Sequence, residues 1–394
     1  MFGIKRRVKK TDLAIVNRSF WPQGQVIGEG LLQFAETVAK KHSVCVITQE
    51  EENLSELLAT QGRGKNITVR ACKSYTTSSS GILKRISEAL LFMLWTFISL
   101  VRARPANVYV STNPPVVVPF IVAIYCRLFK ADYIYHLQDI HPEAANIIVP
   151  LNKVFFRLLK QIDNYTLRNA KAIVTLSEDM KEFIQNRSVT SSPIYLLDNP
   201  SYDMPSLPME ERSLDLVFCG NAGRLQRIPL LISSIREYLQ SGGKLSFTFA
   251  GAGVYVEDIR ILAEEYSQVS YLGVIPATTA ATLVGKHRWA ILPIDDEVTK
   301  YAFPSKSSGY AISGTGVLAI CGNETSVSRW VDQHGIGITC EPDQGALVQC
   351  LFSIEQKQVV DGFTISQTFH EQLQISYFAQ KLCDISLSTN GSKV

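Results

Sequence analysis

The sequence has no long unbroken apolar run. Its most apolar stretch, Ala89–Val101 (ALLFMLWTFISLV), is 13 residues, short of the ~20 that a membrane-spanning helix needs. Val116–Cys126 is shorter still, so neither is expected to span. Lys84, Arg85, Arg102 and Arg104 flank the first run, which reads as a buried helix or as a helix lying in a membrane interface. The N-terminus has no apolar core of the secretory kind, and no signal peptide is expected. The eight cysteines form no CxxC pair and no metal-ligand spacing. Several sit inside apolar runs such as VCVIT and LVFCG, where cysteine acts as a small hydrophobe; a reduced, cytoplasmic compartment is the expectation. A net excess of either charge is lacking too, with 39 basic against 36 acidic residues. The formal net charge is +3 and no aromatic-basic motif appears, so no nucleic acid partner is expected. The local exception is KRRVKK at residues 5–10, a solvated tail or a handle for anionic lipid at about 1 kcal/mol per basic residue. Three catalytic signatures are missing: the first strand lacks GxGxxG, no GxxxxGK[ST] loop exists, and no Ser-His-Asp set emerges.

What is present is a globular chain of 394 residues, 46% hydrophobic and 19% charged, too long for one ordinary core. Strand and helix signals alternate along the first half. Strands are predicted at 13–17, 43–48, 67–71, 107–110, 132–137 and 172–175. Helices are predicted at 28–41, 82–102, 116–129 and 151–168. Residues 199–213 (NPSYDMPSLPMEERS) carry three prolines and no periodicity, and read as an interdomain linker. The alternation restarts with strands at 214–219, 245–250, 269–272, 289–292, 317–320 and 336–339, helices at 229–240 and 256–266, and a helix from Pro304. Such alternation implies parallel βαβ units. The expected fold is α/β, with two Rossmann-like domains facing each other across a cleft. Residues 1–200 would form the first domain and 201–365 the second, and a helical tail over 366–394 could return to the first. Ligands in such sheets bind at the carboxyl ends of strands, so the post-strand loops carry the search for chemistry.

After the first strand, RSFWPQGQVIGEG places Gly24, Gly28 and Gly30 before a helix, a turn where backbone can approach a ligand. After strand 132–137, HLQDIHPEAA crowds His136, Asp139, His141 and Glu143 together. A metal site, an N-cap and a polar substrate-facing loop are all open readings; Asp139 could accept hydroxyl hydrogen bonds or act as a base. After strand 214–219, GNAGRLQRI combines Gly220, Asn221 and Gly223 with Arg224 and Arg227, whose planar forks suit phosphate oxygens. The AGAG turn at 250–253 reads as a tight turn first. Finally, AFPSKSSGYAISGTG opens with Pro304, suited to a first helical turn, and places Ser305 and Lys306 where an anion would meet unpaired N–H groups.

The order of STNPP, QDIHPE, GNAGR and FPSK…GYAISGTGVLAI resembles the family 4 retaining glycosyltransferases of the two-Rossmann (GT-B) type, most of all bacterial enzymes of O-antigen and capsule assembly that transfer amino-deoxysugars. The resemblance implies transfer of a sugar from a nucleotide-sugar to a glycan or lipid-linked acceptor, at the inner face of the membrane, with no metal. It implies that Arg224 with Gly220, Asn221 and Gly223, and Lys306 with Ser305, hold the donor diphosphate. It further implies that Val274 flanks the base, that Gly28 and Glu29 close over the donor, and that Asp139 faces the transferred sugar or acceptor. One position departs from the family pattern: Gly309 stands where a ribose-binding Glu is usual. A nucleotide-sugar epimerase on the same scaffold, using the His136, Asp139 and His141 cluster, and a nucleotide-binding protein without activity are the alternatives.

Overall fold

The computed structural model describes residues 11–388 apart from 51–52, 77–80, 203–206, 360–362 and 364. The KRRVKK segment lies outside the described residues. The first half builds a seven-stranded parallel sheet. Its strands are β1 (Leu13–Val16), β2 (Val44–Gln49), β3 (Ile67–Cys72), β4 (Asn107–Ser111), β5 (Asp132–His136), β6 (Ala172–Thr175) and β7 (Ile194–Leu196). Their spatial order is β3-β2-β1-β4-β5-β6-β7. The second half builds a six-stranded parallel sheet from β8 (Leu214–Cys219), β9 (Phe247–Ala250), β10 (Val269–Tyr271), β11 (His287–Pro293), β12 (Gly316–Ile320) and β13 (Gly337–Cys340), in the order β10-β9-β8-β11-β12-β13.

Central strands such as LAIV of β1 and GVLAI of β12 are buried at every position. That is why they read as apolar runs without alternation: helices cover both sheet faces. In each sheet the order reverses beside the first strand, between β1 and β4 and between β8 and β11. Crevices open at the carboxyl ends of strands at such switch points. Asn17, Arg18 and the QDIHPE loop leave the first sheet there, and the GNAG turn leaves the second.

The helix that holds the 13-residue apolar run is longer than the run. It spans Ile82–Ala103, 22 residues, and by length and composition alone it would suffice to cross a membrane. The run looked short because Glu88 and the flanking basic residues interrupt it. Glu88 is buried, however, paired with Arg18 at 2.6 Å, and Phe92 and Leu100 are fully buried in the core. One side of this helix is therefore part of the domain, and the other is not covered.

The chain crosses between the two sheets twice, side by side. The outward crossing runs through Asn199 and Ser201; the return runs through Leu373 and Gln374. Ser201 N–H donates to the Leu373 carbonyl at 2.8 Å, and Ser201 bridges Gln374 in parallel. The Ile375–Leu387 helix then lies along the Gln25–Ala39 helix of the first domain. Gly30 permits this: a Cβ there would stand 2.8 Å from the Phe378 ring.

Candidate active site

A cavity of about 500 Å³ lies between the two sheets, at the carboxyl ends of both. The first domain contributes Gly24 to Ile27, Gln138 and Asp139; the crossing segment contributes Asn199 to Tyr202; the second domain contributes Cys219, Ala280, Ala281, Val284, Phe303, Ser305, Lys306, Gly309 and Tyr310.

Next to Cys219 and Lys306, just beyond the cavity floor on the second-domain side, two glycine turns press together. Gly220 has φ +146 and Gly251 φ +132, and a Cβ on Gly251 would stand 1.9 Å from the Gly220 carbonyl oxygen. Gly253, at φ +146, meets Ala222 backbone in the same way. Only glycine fits where two backbones touch at positive φ, so the AGAG turn shapes the GNAG turn. Gly223 is confined as well, with the Asn221 amide nitrogen 2.7 Å from where its Cβ would be.

Lys306 reaches this floor from the other side. Pro304 does not begin the helix. Its carbonyl closes a turn with Ser307 N–H at 3.1 Å, and the helix is Ser307–Ile312, with Lys306 as the residue before it. The Lys306 side chain runs inward instead of along the surface. Its Nζ lies 3.8 Å from the Phe218 ring centroid, a cation–π contact, donates to Gln226 Oε1 at 3.0 Å, and would be 3.4 Å from a Cβ on Gly220. Burial pulls its pKa down to about 7, with the nearby Cys219 acting weakly in the opposite sense. Beside it, Tyr310 Oη accepts from Cys219 N–H and donates to the Cys219 carbonyl, both at 3.1 Å. That pair pins the short helix to the end of β8, a role the sequence did not reveal.

The two arginines of GNAGRLQR have parted. Arg227 donates from Nε to the Ile294 carbonyl at 3.0 Å and pairs with Asp296 at 3.1 Å and Asp295 at 3.6 Å. Its charge is neutralised within the second domain. Arg224 is exposed and crosses the cleft, donating to the Ile148 carbonyl of the first domain at 3.2 Å. Asp139 borders the cavity on the opposite wall. Its backbone bridges Ala302, and Ile140 N–H donates to the Tyr301 carbonyl at 2.7 Å, so the QDIHPE loop is stitched to the segment that carries Lys306. Asp139 stays open to the cleft, and the walls crowding its carboxyl disfavour the charged form, which shifts its pKa upward.

Of the candidate site residues, Asp139, Ser305 and Lys306 line the cavity; Gly220, Asn221, Gly223, Arg224 and the others fall outside the lining. Gly28 is packed against the turn before its helix, where a Cβ would stand 2.9 Å from the Phe20 carbonyl oxygen, and Glu29 pairs with Arg63 at 2.9 Å. Val274 is 76% exposed on a loop beyond β10. His136 is fully buried, its Nδ1 2.6 Å from the Tyr109 hydroxyl. His141 is held near pKa 4 by burial and by Arg187. The histidines thus stand behind the loop, and Asp139 faces the cleft without them. Among the described residues no group of three or more His, Cys, Asp or Glu could hold a metal.

Behind the loop lies a network that sequence reading missed. Arg187, 1% exposed, donates to Glu143 at 2.7 Å, to the His141 carbonyl at 3.0 Å and to the fully buried Asp163. Asp163 also accepts from the Tyr135 hydroxyl at 2.8 Å. The signal was an acid on the inward row of the Lys153–Asn169 helix, at the spacing of Phe156, Lys160 and Leu167.

Residues 28–200 match the family model described as a glycosyl transferase 4-like domain. Over 334 residues the chain is 24% identical to the probable glycosyltransferase WbjE of Pseudomonas aeruginosa, covering 78% of this chain and 82% of the relative. Among solved structures, it superposes on the lipopolysaccharide outer core galactosyltransferase WaaB with a TM-score of 0.62 at 13% identity, over 95% of this chain and 98% of that one. It superposes on Anabaena HepE in complex with UDP with a TM-score of 0.56 at 14% identity, over 95% of each chain.

Proposed function

We propose that this chain, a glycosyltransferase of the family 4 type with the GT-B fold, moves a sugar from a nucleotide-sugar to a lipid-linked glycan acceptor in surface polysaccharide assembly, with retention and without a metal. The observation that carries the donor assignment is the inward-turned Lys306 over the Gly220 turn. Among the described residues its hydrogen-bond acceptor is a neutral amide, and a half-buried ammonium so partnered is only partly compensated. A diphosphate on the glycine turn would supply the missing negative charge, and Gly220, Asn221 and Gly223 would offer it close-range backbone. Arg224, on the rim, exchanges a carbonyl for a phosphate oxygen at little cost. Together the two cations would neutralise the leaving diphosphate as charge develops on it, the work a metal does elsewhere. Asp139, across the cavity, is placed to face the sugar or the acceptor hydroxyl.

The relatives suggest the acceptor class. One is named for the lipopolysaccharide outer core and another was solved with UDP; uridine nucleotides are accordingly the first donors to try. A thermal-shift screen of nucleoside diphosphates and nucleotide-sugars, followed by transfer assays with the donor that binds, tests the reading. Saturation at 100 Kd should add about 2.7 kcal/mol to stability. A chain that none of these ligands stabilises is not a nucleotide-sugar transferase.

Gly309 lines the cavity one turn beyond Lys306. Gly309→Glu would place a carboxylate where ribose hydroxyls are to be expected. Donor affinity should rise about tenfold, the worth of a hydrogen bond to a charged group. Unchanged or weaker binding in calorimetry means that another group holds the ribose.

A further inference from the structure

The first domain leaves one helical layer uncovered. The Ile82–Ala103, Val117–Phe129 and Lys153–Asn169 helices pack side by side on one face of its sheet. On the first, Leu83, Ile86, Leu90 and Leu94 form a single stripe at helical spacing, 80%, 49%, 47% and 54% exposed, with Leu91 beside it. On the third, Val154, Phe155 and Leu158 are exposed, and the Glu143–Ile148 helix just before it exposes Ile147 and Ile148. A run of large apolar side chains this extensive is unusual on a soluble face.

The charge on the layer is of one sign. Its exposed charged residues include Lys84, Arg85, Arg127, Lys153 and Arg157. The acidic residues of the three helices are Glu88 and Asp163, and both are buried and paired, with Arg18 and Arg187. Every negative charge on these helices therefore points inward, and the outer surface of the layer is apolar and basic.

Topology fixes which end of the layer this is. The first helix follows β3 and leads to β4, and the third follows β5 and leads to β6, each between parallel strands. Such crossover helices run antiparallel to the strands, so their first turns lie at the strands' carboxyl ends. Leu83, Ile86, Leu90 and Leu91, and Val154–Leu158, are first-half residues. The apolar, basic surface thus borders the mouth of the cleft. A groove between the second and third helices, walled by Phe120, Ile124, Leu128 and Ile162 with Arg127 hydrogen-bonded to Tyr165 at its edge, continues it.

We propose that this three-helix layer is the surface by which the protein docks onto an anionic lipid bilayer. Leucine, isoleucine and phenylalanine side chains enter the interface and the lysines and arginines meet the headgroups. Charge selects this occupant: two copies of the layer would repel each other, and an uncharged apolar partner would leave the basic residues without counter-ions. The placement deepens the reading of a lipid-linked acceptor, since a bilayer against this layer presents its headgroup plane to the cleft mouth. The docking itself does not depend on that reading, and vesicle binding and nucleotide binding fail separately.

The test is sedimentation of the full chain with vesicles of phosphatidylcholine alone and with about one third phosphatidylglycerol. Binding to the anionic vesicles, weakened by salt, is expected. The K84E/R85E/R157E variant should reduce the partition coefficient by about 100-fold or more, and the L90S/L91S/L94S variant by about tenfold or more. Both should keep the wild-type urea midpoint, which shows them folded. The proposal is overturned if the wild type ignores anionic vesicles or if both folded variants bind them like the wild type. It is overturned equally if neutralising the basic residues of segment 5–10 alone abolishes binding.

Discussion

Lys306→Ala should weaken binding of the nucleotide-sugar donor by about 10–100-fold, the range for a lost hydrogen bond to a charged group. Arg224→Ala should lower kcat/KM by about 10²–10³-fold, the cost of one preorganised donor at a developing negative charge. The two cations differ in what else they do. Arg224 is exposed and, among the described residues, donates to the Ile148 carbonyl, so its replacement should leave the unfolding midpoint in place. Lys306 has a further signature in pH. With its pKa drawn down to about 7 by its desolvated surroundings, it is charged below that pH and increasingly neutral above it. A bound diphosphate restores the charged form, so binding takes up a proton above pH 7. Donor affinity should be constant below pH about 6 and fall by up to tenfold per pH unit above pH about 7. A nucleotide-sugar, whose diphosphate does not titrate in this range, is the right probe. Calorimetry in buffers of different ionisation enthalpy counts the proton. A flat pH profile in the wild type, or the same slope in Lys306→Ala, would remove Lys306 from the diphosphate site.

Asp163→Ala should cost about 3–5 kcal/mol of stability, read from the urea midpoint. Arg187 is 1% exposed and would keep Glu143 at 2.7 Å but lose its partner on Nη2. The Tyr135 hydroxyl would lose its acceptor in the same change. A guanidinium N–H and a phenol hydroxyl left without acceptors in the core cost about 1–3 kcal/mol each, because water cannot reach them. Arg187 also holds the His141 carbonyl, so the variant should disturb the QDIHPE loop and with it Asp139. A destabilisation below about 1 kcal/mol would mean that the network is not formed as described.

The fold was legible because buried parallel strands leave continuous apolar runs between helices, and β6 and β8 match the predicted ranges residue for residue. Lengths were harder. The Ile82–Ala103 helix exceeds its apolar run because Glu88, a buried and paired carboxylate, looks like a surface residue in sequence. Loop motifs showed where the cleft would be but not which side chains enter it. Nothing local distinguishes Arg224, reaching across the cleft, from Arg227, neutralised by Asp295 and Asp296 three strands later in the chain. The start of the helix after Pro304 was read too early, because proline suits a turn as well as a first helical turn. His136 and Asp139 are close in sequence but face opposite ways, since β5 carries the first into the core and the loop carries the second out. Glycines in GNAG and AGAG read as ligand turns or tight turns one at a time; only the packed pair shows that each needs the other.

The paired crossing at Ser201 and Gln374 sets what motion the cleft can make. Two strands of chain joined by a backbone hydrogen bond resist twisting far more than a single connector, while bending across the line between them stays easy. The lobes are therefore coupled like the boards of a book along its spine. The contacts of the QDIHPE loop with Tyr301 and Ala302, and of Arg224 with Ile148, act at the fore-edge, where the leverage is longest. A few hydrogen bonds there can govern the opening angle of the whole molecule.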